Sequence, residues 1–95
     1  MRMELMCGVS SDSYQEKSNI MHQFEIRQMD ANGSILAESH VALQPGMNAK
    51  DRDWRPMQIA LKQTHNGVLA FSYVCSEKEF SNIGAFAQSI LRPVD

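Results

Sequence analysis

From His22 onward, apolar and polar residues alternate. In "HQFEIRQM", Phe24 and Ile26 are separated by Glu25 and Arg27, the period of two that marks a half-buried strand. "DANG" follows, and Asn32-Gly33 can take the positive φ of a tight hairpin turn. "SILAESHVAL" then resumes the alternation. Ile35, Ala37, Ser39, Val41 and Leu43 share one side, and Leu36, Glu38, His40 and Ala42 the other. The two runs predict a β-hairpin, closed by "QPGMN", where Pro45 lacks a ladder donor and Gly46 favours a turn.

The start of the chain is less regular. In "MRMELMC", Met1, Met3, Leu5 and Cys7 share one parity, which suits a short strand. "GVSSDSYQEKSN" has no period and predicts a mobile loop. Residues 1–20 therefore read as a lead-in, and residues 21–95 as a single α+β domain. A start at Met21 would make the lead-in dispensable.

Two segments remain. "RPMQIALKQTHNGVLAFSYVCS" reads as a second hairpin, with Met57, Ile59 and Leu61 alternating before an Asn66-Gly67 turn into a strand over 68–75. It also reads as a helix from Pro56 to about Gln63, stopped by Asn66-Gly67. The last segment, "SEKEFSNIGAFAQSILRPVD", predicts a helix. Ser76 and Glu79 form a capping box; Phe80, Ile83, Gly84, Ala87, Ile90 and Leu91 fall at helical spacing; Pro93 ends the run. Gly84, in mid-stripe, implies close approach to a strand. The expected fold is α+β: an antiparallel sheet of four to five strands, in two hairpins, packed on one C-terminal helix.

That architecture has a functional corollary. One helix covers one face of a sheet, and strand 68–75 is apolar on both faces. The lead-in or a second copy must cover the other, and symmetric homodimers are the commonest oligomers.

Composition narrows the class. The 95 residues are 43% hydrophobic and 21% charged, with net charge −2, near globular averages. Residues 1–47 carry three basic and six acidic groups, and residues 48–95 six and five. Neither half has the excess that binding through phosphate contacts requires. No apolar run approaches the ~18 residues of a membrane span, and "MRMELMCGVSS" is a poor signal peptide. Two cysteines are too few for a disulfide scaffold, so a cytoplasmic protein with reduced thiols is expected.

Chemistry is sparse. His22, His40, His65, Cys7 and Cys75 show no metal-ligand spacing. Cys75, just before the predicted helix, is the one thiol placed for activation, but no base accompanies it. Neither a P-loop nor a nucleophile elbow is present. No catalytic residue, metal or cofactor is expected.

The stretch "NAKDRDWRP" stands out. Trp and Arg are enriched in binding hot spots, so Lys50, Arg52, Trp54 and Arg55 are the candidate partner-binding residues. Against this, Asp51 and Asp53 nearly cancel the positive charge, the pattern of a solvated structural loop. The expected function is a small non-enzymatic protein-binding module (an inhibitor, adaptor or accessory subunit) acting as a homodimer. The alternative is a nucleic-acid-binding regulator that stacks bases on Trp54 among the cations of residues 50–62.

Overall fold

The structure is a computed structural model, in which residues 1–10, 19–76 and 84–93 are described. They form six strands: β1 (Arg2–Val9), β2 (His22–Met29), β3 (Ile35–Leu43), β4 (Arg55–Ala60), β5 (Val68–Cys75) and β6 (Gly84–Arg92). A 3-10 turn, Ala49–Arg52, precedes β4. The strands make two antiparallel sheets of three, in the orders β4-β1-β6 and β3-β2-β5. The expected α+β fold is thus corrected: the described residues form an all-β arrangement of two sheets, and Gly84–Arg92, within the predicted C-terminal helix, is a strand.

The reason lies in β6, where the helix was predicted. It pairs along β1, from Arg2 opposite Arg92 to Val9 opposite Gly84. Glu4 faces Ile90 and Met6 faces Ala87, so Gln88 and Ser89 together oppose the single residue Leu5. This is a β-bulge, and Gln88 sits in it at φ 56°. The extra residue switches parity midway: Phe86 shares the side of Cys7, and Leu91 shares that of Met3, though Leu91, near the strand's end, is exposed. A strand with a parity switch mimics a helical stripe. Phe80 and Ile83 of that predicted stripe, and Glu79 of the predicted capping box, lie outside the described residues. Gly84 does meet a strand closely, since a Cβ there would clash with the ring of Tyr73 on β5.

The second hairpin is also corrected. Residues 55–60 are a strand, but β4 pairs with β1 and β5 with β2. The chain between them crosses from one sheet to the other, with Asn66 at φ 57°. The crossing is held by the buried Gln28 amide, which donates to Lys62 O at 2.7 Å and accepts from Lys62 N at 2.8 Å. The two bonds replace the ladder partner that Lys62 lacks.

The β2–β3 hairpin forms as the alternation predicts. Gly33 adopts φ 84°, and the Asp30 carboxylate accepts from the backbone of Asn32 and Ser34 at 2.9 and 3.0 Å. A bulge at Leu36 pairs Ile35 with Met29 rather than leaving it beside Ala37, so Ile35 is exposed.

The core lies between the sheets. Met3, Leu5 and Cys7 of β1 meet Phe24 and Ile26 of β2, with Leu43, Met57 and Ile59 around them. Phe86 reaches across from β6 to contact both Phe24 and Phe71 edge-on, each at 5.4 Å. Residues 2–9 are therefore the middle strand of a sheet and place three side chains in the core; the predicted mobile loop over 11–18 lies outside the described residues. Strand 68–75 is an edge strand, with Val68, Phe71 and Val74 exposed. With the helix gone, a homodimer no longer follows from unequal coverage and needs separate grounds.

Candidate interaction face

The side chains of β1 that turn away from the core are Arg2, Glu4, Met6 and Gly8. Gly8 is the seat of Trp54: a Cβ at Gly8 would lie 2.9 Å from Trp54 Cε3. Only glycine lets the indole lie on the strand, and the ring remains 51% exposed. Met6 is paired with Pro56 on one side and Ala87 on the other, and Glu4 with Gln58 and Ile90. Pro56 and Ile90 are exposed. A groove of about 520 Å³ runs here, lined by Glu4, Met6, Pro56, Gln58, Gln88 and Ile90, with Leu5 and Met57 at its floor. Charge is confined to one end, where Glu4 bridges Arg2 at 2.8 Å and Arg92 at 2.7 Å.

The loop carrying Trp54 is built around Asp51. This side chain is buried; it accepts from Gln44 N at 3.0 Å and from Arg55 Nη2 at 2.5 Å. Arg52 Nε donates to Pro45 O at 2.7 Å. Of the four candidate residues, Trp54 lies on the outer face of the first sheet and Lys50 is exposed on the 3-10 turn. Arg52 and Arg55 spend hydrogen-bonding groups on the loop itself. Sequence reasoning did not find Met6, Pro56 and Ile90 as companions of Trp54. The signal for Met6 was the even-numbered set of β1, opposite in parity to the core set.

A second polar constellation sits inside the second sheet. His22 is fully buried, and its Nδ1 lies 2.6 Å from Tyr73 Oη. Its Nε2 has no hydrogen-bond partner among the described residues. Burial lowers the His22 pKa below the ordinary 6.5, because a charged imidazolium there would lose its hydration. Tyr73 is pushed up to about 12, by burial first and then by Cys75 beside it. Cys75 is opposite His22 in the ladder. Cys7 and Cys75 are both free thiols. Burial pushes Cys7 up to about 11 against the opposing pull of Arg55, which keeps it protonated and unreactive.

His40 lies on the other outer face, with Nδ1 3.0 Å from Glu25. Among the described residues, no group of three histidine, cysteine or acidic side chains could hold a metal ion, and no helix is long and apolar enough to cross a membrane. No protein-family model, curated protein or solved structure matches this chain.

Proposed function

We propose that this is a small non-enzymatic protein-binding module, acting in the cytoplasm as an inhibitor, adaptor or accessory subunit, with the outer face of the first sheet as its contact surface. The observation that carries this reading is Trp54, half exposed on Gly8, on the same outer face as the groove that Met6, Pro56 and Ile90 help to line. A Trp lying flat on a strand gives a partner a large rigid anchor at little entropic cost, and such residues dominate interface energetics. Lys50 would add a flanking cation. Arg52 and Arg55 stand behind the anchor and fix the loop that presents it. The nucleic-acid alternative has less in its favour, because those two guanidinium groups bond within the loop instead of forming a basic track.

The test is comparative affinity capture from the native host with wild-type protein, Trp54→Ala and Ile90→Arg. A partner retained by the wild type should be lost, by about tenfold or more, in both variants. Circular dichroism checks that both variants are folded. Undiminished capture by both would remove this face from the function.

A further inference from the structure

Sheet edges carry unpaired backbone groups, and stable proteins guard them with charge, proline, bulges or short strands. Among the described residues there are four edge strands, and three are guarded. β3 carries Glu38 and His40. β4 is only six residues long and includes Pro56. β6 is bulged at Gln88 and ends in Arg92 and Pro93. The fourth, β5, has none of these devices. "VLAFSYVC" contains no charge and no proline, its pairing to β2 is regular over all eight residues, and Val68, Phe71 and Val74 are exposed along it at 54, 46 and 57%.

We infer that β5 pairs antiparallel with β5 of a second copy, joining two second sheets into one of six strands. This concerns a different edge from the proposed partner-binding face and adds the seat of self-association to that reading. Two observations favour a second copy as occupant. First, the strand is uncharged, so two copies meet without repulsion, while a charged partner strand would find no counter-charge. Second, the register fits. With Phe71 opposite its own copy, Leu69 falls opposite Tyr73, Ala70 opposite Ser72, and Val68 opposite Val74. Inward side chains thus meet inward ones, and each exposed valine is covered by the other.

The experiment is light scattering and sedimentation of the full chain at two concentrations, for wild type, Val74→Lys, Val68→Lys/Val74→Lys and, as a control on a guarded edge, Ala42→Lys. Both valines are exposed, so the lysines are tolerated in the folded monomer, which thermal melts check. The expected result is a wild-type mass of twice 10.7 kDa, retained by Ala42→Lys. Self-association should weaken by about 100-fold or more in the double variant, which sets lysine against lysine at both ends. A wild type that stays monomeric would leave the edge to a strand of another protein and overturn self-pairing. So would a dimer that survives the double variant or dissolves in the control. Partner capture through Trp54 is read separately, so either claim can fail alone.

Discussion

The outer faces of the two sheets differ in how they use charge, although β5 leaves Val68 and Val74 exposed on the second. On the second, Glu25, Arg27, Glu38 and His40 form a lattice across β2 and β3, with Arg27 Nε 2.5 Å from Glu25 and 3.6 Å from Glu38. On the first, charge retreats to the Arg2–Glu4–Arg92 end, and Met6, Pro56 and Ile90 lie with the neutral Gln58 and Gln88 beyond it, with Trp54 on Gly8. Each face belongs to three antiparallel strands over the same core. The difference lies in which residues occupy the outward parity and in the loop that lays Trp54 on Gly8. Ion pairs at an exposed surface contribute little stability, but they keep a face wet. The first sheet gives up that protection, and the proposed contact surface rests on the apolar side chains it exposes instead.

This contrast can be broken at its weakest support. Asp51→Ala removes the acceptor for Gln44 N–H and Arg55 in a buried position, and should cost about 1–3 kcal/mol in urea unfolding. Trp54 should also lose its fixed seat, seen as a change in tryptophan emission, while the second face keeps its ion pairs. A smaller effect comes from between the faces. The His22 pKa is lower in the folded state than in the unfolded chain, so the unfolded chain binds the extra proton as pH falls through about 6.5. Stability should be full above that pH and decline below it, towards the depressed folded pKa. Thermal melts from pH 7.5 to 5 should show the decline, and His22→Gln should flatten it. Smallest of all is Arg27→Ala on the charged face: it should change stability by less than ~1 kcal/mol in urea unfolding and leave partner capture intact. A large loss of capture there would mean that the wrong face has been assigned.

Much of this was legible in the sequence, and the failures have causes. Alternation around Phe24 and Ile26 identified β2, and Gly33 marked its turn. The parity of Met3, Leu5 and Cys7 described the core side of β1, but nothing local said that this strand would take a neighbour on each edge. The partition into two sheets depends on pairings such as Met3 with Ile59 and Leu91, distant in the chain and invisible to any window. β6 was misread because one inserted residue at Gln88 shifts its phase, and a phase-shifted strand imitates a helix. In the candidate site, Trp54 was readable by residue type. Its platform, Gly8, lies 46 positions away, and the burial of Asp51 could not be told from that of exposed Asp53 beside it.

The pairing of Arg2 with Arg92 has a kinetic corollary. The second sheet requires nothing beyond Cys75 for its ladders, so it can assemble while the chain is still emerging from the ribosome. The first cannot be completed until residues 84–92 have been synthesised and have travelled back to the opening strand. Such long-range closure is slow. During that delay one hydrogen-bonding edge of β1 waits without its last neighbour, and newly made chains should depend on chaperone capture more than their modest size suggests.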